Sequence, residues 1–520
     1  MGDFFTRKQK TKIHHLFLLS LQKVSNKLWD KPILRDITWS PEFKQSWAIL
    51  GPNGAGKSTL IKIILGQLPY CGKIKRDSKI SALNKIAYVS LDQQKALVAR
   101  EEKKDLFEEY SGKEQHSQSG HDFLDPEGKQ TAKLLIIAEQ IGLVSLLGKP
   151  IRYFSNGEMR KTLIAKALLD DPKLLIFDEP FDGLDSTSVE LLSQIISGLI
   201  QSGLAVWLVS HRFEELVPEI KHVLCLKAGK IFVQGLRSEV LNSENIKILY
   251  AENKSKEYFH KNTKSTEDKF ENLPLQKDPR PSATNKKTRC IIKMRNVNVR
   301  YGENVVLEKF NWSVYQGENW KITGPNGAGK STLLSLISGD NLQAYANQIY
   351  LFGRRRGTGE SVWDIKQQIG LVSSEYQVSY RESVSVMKVV LSGFFDTIGY
   401  YQPASEKQKR SALNWMRFLE INELAEEDYT RLSYGQQRLI LIARSMVKSP
   451  PLLILDEPCQ GLDQTNRNRV LKLIDYIGLN SETQILYVTH IKKDQLNCLR
   501  YELRFEVDKK GSFRPHITEL

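Results

Sequence analysis

Two α/β domains of one kind in tandem, each with a helical subdomain, are the fold that the 520-residue sequence predicts, and three observations carry the prediction. The string GPNGAGKST stands at Gly51–Thr59 and again at Gly324–Thr332, an offset of 273 residues. At that offset, without a gap, Val24 matches Val297, Leu34 matches Leu307, Trp39 matches Trp312, Trp47 matches Trp320 and Gly66 matches Gly339. A repeated flank means a duplicated domain. The third observation is a pair of apolar runs ending in acid, LLIFDEP from Leu174 and LLILDEP from Leu452, which read as buried parallel strands whose carboxyl ends carry ligands.

Taken in order, the chain opens on a basic tail. Residues 1–27 hold six basic side chains and one acidic, residues 252–293 hold eleven and six, and together they account for +10 of the net +15. The basic balance is thus a property of a tail and a connection, which predicts weak contact with polyanions and no sequence-specific reading of nucleic acid. With 41% apolar and 26% charged residues, the chain as a whole has the composition of an ordinary globular protein. Cys71, Cys225, Cys290, Cys459 and Cys498 form no CxxC pair, against a zinc site or a disulfide framework and for a reducing cytoplasm. No apolar run approaches the roughly 18 residues of a spanning helix, and Leu16–Leu21 is too short for a leader, so a membrane role would need another chain to supply the span. The expected domains are 13–250 and 289–516. Between them 251–288, polar with Pro274, Pro279 and Pro281, reads as a basic flexible linker. Within the first domain, residues 99–131 read as a charged helix and a projecting loop.

In each half an apolar run (Trp47–Leu50; Trp320–Thr323) precedes GxxxxGK[ST] and a helical run follows, the order that a P-loop requires. The phosphate cradle is then Gly51, Pro52, Asn53, Gly54, Ala55, Gly56, Lys57, Ser58 and Thr59, and in the second half Gly324, Pro325, Asn326, Gly327, Ala328, Gly329, Lys330, Ser331 and Thr332. The glycines let backbone N–H groups turn toward phosphates, Lys57 and Lys330 reach the β- and γ-phosphates, and Ser58 and Ser331 offer hydroxyls to Mg²⁺. Asp178 and Asp456 would hold the same Mg²⁺, while Glu179 and Glu457 face the attacking water. Asp185 and Asp463 double as caps of the helices that follow. His211 and His490 end β-rich runs 32 and 33 residues after the glutamates, a repeat that places an imidazole near each γ-phosphate.

With FSNGE at Phe154–Glu158 and LSYGQ at Leu432–Gln436 placed 24 residues before the glutamates, counted from Ser155 and Ser433, these motifs resemble the ATP-binding cassette (ABC) ATPases. The resemblance covers nearly the whole chain. It implies two P-loop nucleoside triphosphatase domains of ABC type using ATP and Mg²⁺, with Ser155, Gly157, Ser433 and Gly435 binding the γ-phosphate of ATP held by the opposite domain in a head-to-tail closure. Tyr301 suits the aromatic that stacks on adenine. Its ungapped counterpart is Leu28, with Trp29 one residue out of register.

Two departures stand out. Asn156 and Tyr434 occupy the first glycine of the family's LSGGQ, and Tyr at positive φ is costly, so the loop is not expected to be left-handed there. Leu91 and Ser374 stand where the family has a lid glutamine, with Gln94 and Gln377 three residues further on, so a Mg²⁺ contact is expected from that shifted position.

Tandem cassettes with VSx[DE]xQ and an FSNGE(M)RK signature look like the molybdate-transport-related ModF group, also described as photorepair proteins. The function this implies is ATP hydrolysis driving a separate integral-membrane transporter subunit, at a cytoplasmic location, peripheral to the inner face of the plasma membrane. The alternatives are an ABC-F-like factor acting on ribosomes, opposed by the short proline-broken linker, and a DNA-repair ATPase, opposed by the lack of zinc pairs or long coiled coils.

Overall fold

A computed structural model describes residues 18–28, 31–42, 44–76, 85–94, 96–98, 100–101, 118–250, 289–301, 304–373, 377, 383–490, 494–507 and 513–520. The tail before residue 18, most of the charged stretch at 99–131, the connection at 251–288, Trp29 and Ser374 lie outside them. The chain divides into two compact units, Met1–Phe181 with Glu190–Tyr250, and Asp182–Val189 with Ala251–Leu520.

In the first unit, β1 (Leu19–Leu28), β2 (Lys31–Trp39) and, after β3 (Trp47–Leu50), β4 (Cys71–Arg76) make an antiparallel sheet in the order β2-β1-β4. The main sheet runs β5-β6-β7-β3-β8-β9, with β5 (Ile86–Ser90), β6 (Leu174–Asp178), β7 (Ala205–Ser210), β8 (His222–Lys227) and β9 (Lys230–Leu236). Every pairing in it is parallel except β8 with β9. Of the inner strands, β3, β6 and β7 are buried at every residue, which is why WAIL, LLIFD and AVWLVS read as continuous apolar runs rather than alternating ones.

The second unit repeats the plan. β10 (Cys290–Tyr301), β11 (Asn304–Tyr315), β13 (Gln348–Leu351) and β14 (Arg354–Arg355) form the antiparallel sheet, and β12 (Trp320–Thr323) joins β15 (Ile369–Val372), β16 (Leu452–Asp456), β17 (Gln484–Val488), β18 (Tyr501–Val507) and β19 (Phe513–Glu519) in the order β15-β16-β17-β12-β18-β19. The tryptophans matched across the repeat do the same packing job in both units. Trp39 meets Trp47 edge-on at 5.4 Å and 81°, and Trp312 meets Trp320 at 5.3 Å and 84°. Each pair pins its antiparallel sheet to the strand that feeds the P-loop, and such edge-to-face pairs add about 0.5–1.5 kcal/mol to area burial.

Each unit also carries the helical lobe. In the first, Leu134, Ile137, Ala138 and Ile141 form one buried face of the helix Thr131–Ile141, packed on Ala165 and Leu169 of the signature helix Asn156–Leu169. Gly142, at φ 66°, ends that helix in the left-handed conformation. In the second, Val386, Val389 and Val390, with Ala412, Trp415 and Met416, pack against Ile440 and Ala443 of the signature helix Tyr434–Met446. All five cysteines are unpaired thiols.

Candidate functional site

Each main sheet presents its P-loop, its acidic strand end and its histidine at the carboxyl ends of adjacent inner strands, because β6, β7 and β3 are neighbours, as are β16, β17 and β12. The loop turns into the helix Lys57–Ile64 at Gly56, with φ 96°, and into Lys330–Ser338 at Gly329, with φ 94°. A Cβ on Gly56 would stand 2.6 Å from Leu34 Cδ2, so both the backbone angle and the packing demand glycine. Lys57 Nζ donates to the carbonyls of Gly51 at 2.8 Å and Pro52 at 3.3 Å, and Lys330 Nζ to those of Gly324 and Pro325, both at 2.8 Å. Burial pulls the Lys330 ammonium below its ordinary range against the pull of Glu457 and Asp456.

The glutamates follow the strands immediately and adopt left-handed backbone, φ 50° at Glu179 and 47° at Glu457. Non-glycine residues hold such angles only where their surroundings fix them, and such residues cluster at working sites. Glu179 N donates to Val209 O at 2.9 Å and Glu457 N to Val488 O at 3.0 Å, tying each turn to the neighbouring strand. Their carboxylates meet the histidines. His211 Nδ1 lies 2.8 Å from Glu179 Oε2, and His490 Nδ1 lies 2.9 Å from Glu457 Oε1. Lys57 Nζ stands 3.5 Å from Glu179 Oε1 on the other side. Burial opposes ionisation of Glu179, but the charges of His211 and Lys57 overcome it and hold the carboxyl well below its ordinary range; at Glu457, against the same burial, the His490 hydrogen bond and charge, with Lys330, also lower it. A carboxylate kept ionised and oriented by an imidazole can align a water for attack and take its proton.

Asp178 is the opposite case. Burial, reinforced by the neighbouring charge of Glu179, pushes its carboxyl up to about 6, against the help of Tyr88, Ser58 and Lys57. Tyr88 donates to Oδ2 at 2.8 Å, while Oδ1 is buried without a hydrogen-bond partner. A hard cation beside Ser58 and Asp178 would satisfy that oxygen, and hydroxyl plus carboxylate oxygens form the donor set that Mg²⁺ takes, so the residues present fit the ion.

The signature serines begin their helices. Ser155 caps Asn156–Leu169 with a capping box to Glu158, and Ser433 caps Tyr434–Met446 with one to Gln436. Asn156 and Tyr434 are therefore ordinary first-turn helical residues, and neither has a positive φ. The S-x-x-E/Q spacing carries this cap in plain view, and reading it only as a phosphate motif passes over it. Asp185 and Asp463 cap as well, Asp185 Oδ1 accepting from Ser188 N and Asp463 Oδ1 from Asn466 N. Tyr301 is half exposed, and its hydroxyl accepts from Asn341 Nδ2 at 2.8 Å.

The glutamines need a correction. Gln94 and Gln377, expected at the metal, are buried and turned to the signature helices instead. Gln94 Nε2 donates to Asn156 Oδ1 at 3.0 Å and Gln377 Nε2 to Tyr434 O at 3.2 Å. The reason lies upstream: the chain turns helical directly after β5, with Ser90 and Gln93 bonding reciprocally at the turn, and this rotates Gln94 away from the strand end. Three further residues escape sequence reading. Tyr88 on Asp178 is one; Tyr250, whose hydroxyl donates to His211 O at 2.8 Å, is another. The third is Asp494, which accepts from Thr489 Oγ1 and Tyr487 Oη, both at 2.8 Å, and so braces the strand end before His490. None belongs to a motif, because each acts only through the fold.

The family model described as "ABC transporter" matches residues 34–182 and 307–460. The chain is 38% identical over 479 residues to the ABC transporter ATP-binding protein ModF of Escherichia coli, covering 91% of this chain and 94% of that one. It is 29% identical over 463 residues to an uncharacterised ABC transporter ATP-binding protein of Schizosaccharomyces pombe, covering 83% and 86%. Among solved structures, the complex of an archaeal ribosome recycling factor with a ribosomal stalk protein shares the fold with a TM-score of 0.51 at 21% identity, over 91% of this chain and 85% of that one. With two complete P-loop, acidic-strand and histidine sets in its two units, the chain belongs to the ABC transporter family, as a tandem ABC ATPase.

Proposed function

We propose that both cassettes hydrolyse ATP with Mg²⁺ and that the work drives a separate integral-membrane transporter component, with the protein in the cytoplasm and meeting the membrane through that partner. The single observation that carries the hydrolytic part is the same carboxylate–imidazole pair in both units, 2.8 and 2.9 Å apart, beside an intact P-loop lysine. Glu179 and Glu457 act as bases or water-positioning groups, while His211 and His490 orient them. Lys57 and Lys330 meet the β- and γ-phosphates. Ser58 with Asp178, and Ser331 with Asp456, hold the ion, which when bound neutralises charge on the phosphates. Ser155, Gly157, Ser433 and Gly435 recognise the γ-phosphate at a helix N-terminus, and Tyr301 stacks on adenine.

The transport part is supported by the similarity to the transporter ATP-binding protein ModF. No described helix is long and apolar enough to cross a membrane, so the span falls to the partner. Native co-purification tests it: recovery of an integral-membrane subunit whose presence stimulates ATP turnover is the expected result. Recovery of ribosomes at high salt, with turnover stimulated by them, would replace transport by a translation role.

A further inference from the structure

What Gln94 does in place of metal binding is to hold a buried guanidinium. Arg160 is 1% exposed on the first turns of the signature helix. Its Nε donates to Gln94 Oε1 at 2.6 Å, and its Nη1 donates to the carbonyl of Glu179 at 3.2 Å and to that of Pro180. Gln94, 3% exposed, holds the start of the same helix through Asn156 O at 3.3 Å and Asn156 Oδ1 at 3.0 Å. One set of hydrogen bonds therefore runs from the first residue of the signature helix, through Gln94 and Arg160, to the peptide of the catalytic glutamate. That peptide belongs to a left-handed residue, which keeps its angle only if held. The carboxylate is gripped by His211 and Lys57; the backbone is gripped by Arg160. A buried guanidinium demands acceptors, so the grip works in both directions.

The second cassette has an arginine and a glutamine at the matching places, with a different set of contacts. Arg438, fully buried at the matching place, lies 5.6 Å from the centre of the Tyr434 ring, and its Nη2 reaches Tyr434 Oη at 3.4 Å. Gln377 Nε2 holds Tyr434 O and, at 3.0 Å, Gln437 Oε1. The charge of Arg438 also helps keep Glu457 ionised. Tyr434, standing where the first cassette has Asn156, thus carries the arginine that in the first cassette Gln94 carries directly.

We propose that Arg160, set in place by Gln94, is a positioning residue for Glu179, so that the start of the signature helix and the glutamate's turn move as one piece, and that Arg438, buried at the matching place against Tyr434, which Gln377 holds, is the positioning residue for Glu457. The proposal rests on reading the two glutamates as the hydrolytic carboxylates.

The test is steady-state ATP turnover by the full chain carrying Arg160→Gln with Arg438→Gln. The expected result is a kcat lower by about tenfold or more with KM for ATP within about twofold, since only the placement of the glutamate is lost. Arg160→Lys with Arg438→Lys, which keeps a donor and the charge, is expected to return kcat to within about threefold of wild type. Should the arginine-to-glutamine protein fail to fold, Gln94→Leu with Gln377→Leu decides: it leaves both arginines and is expected to lower kcat about threefold or more at unchanged KM. Wild-type kcat in these folded variants overturns the proposal. So does a loss that comes with raised KM and lowered Tm and is not restored by lysine, which marks a packing role alone. Glu179→Gln with Glu457→Gln is the control; wild-type turnover there would remove the underlying reading instead.

Discussion

Asp178 has to be charged to hold a cation, in a place that opposes charge. Its carboxyl in the folded protein lies near 6, above the value near 3.8 that it has in the unfolded chain. The native state therefore keeps a proton that the unfolded chain releases, and the stability present below pH 4 is lost as pH rises to 6. Asp178→Asn removes that cost. In nucleotide-free protein without divalent cations it is expected to raise unfolding free energy by about 1–3 kcal/mol at pH 7.5, by roughly half as much at pH 5, and by almost nothing near pH 4. Denaturant titrations at the three pH values check this, and an equal gain at every pH would count against the assigned cause. The Lys57–Glu179–His211 line was legible at this scale because each member sits in a motif or repeats at a fixed distance. Tyr88 was not legible. Its counterpart in strand register is Leu371, so no repetition points to it, and only the pairing of β5 with β6 brings its hydroxyl to Asp178.

At the scale of elements, the signature helix start has one observed job, capping, and one proposed job, phosphate binding, on the same residue. Ser155 and Ser433 cap their helices, and the same hydroxyls stand at the positive end of the helix dipole, where a phosphate is favoured. The jobs separate by substitution. Ser155→Ala removes the cap and is expected to cost about 1 kcal/mol in an unfolding titration. Ser155→Asp keeps a capping oxygen but adds a negative charge where the γ-phosphate is proposed to bind. It is expected to leave stability within about 0.5 kcal/mol of wild type while lowering ATP turnover about tenfold. Normal turnover in a stable Ser155→Asp protein would deny the serine its phosphate role. The glutamine segment shows where element reading stops. Spacing alone put Gln94 three residues past the strand end, and nothing in the spacing said that a helix begins at Leu91. Once it does, residue 94 faces the signature helix, and a metal contact becomes a brace.

Over the whole molecule, duplication made most of the architecture legible: the Trp39–Trp47 and Trp312–Trp320 pairs, both P-loops and both helical lobes recur because the sequence recurs. What lay beyond sequence reading is how burial sets charge, since Asp178 and Glu179 are adjacent acids with opposite shifts and only the surrounding charges and hydrogen bonds distinguish them. The net charge is a property at this scale too. With +10 of +15 in residues 1–27 and 252–293, binding to heparin is expected at about 50 mM salt and is expected to vanish by about 300 mM, the mark of counterion release. A salt-insensitive affinity measured over that range would contradict it.

Both units carry the same lysine, aspartate, glutamate and histidine set, and its proposed hydrolytic role is the claim on which the rest depends. Its most direct measurement is ATP turnover and ATP binding by the Glu179→Gln, Glu457→Gln double variant, which keeps the shape of each side chain and its contact with His211 or His490 but removes the base. The expected result is turnover lower by about a hundredfold or more, with ATP affinity within about threefold of wild type. Turnover at the wild-type rate would contradict the account.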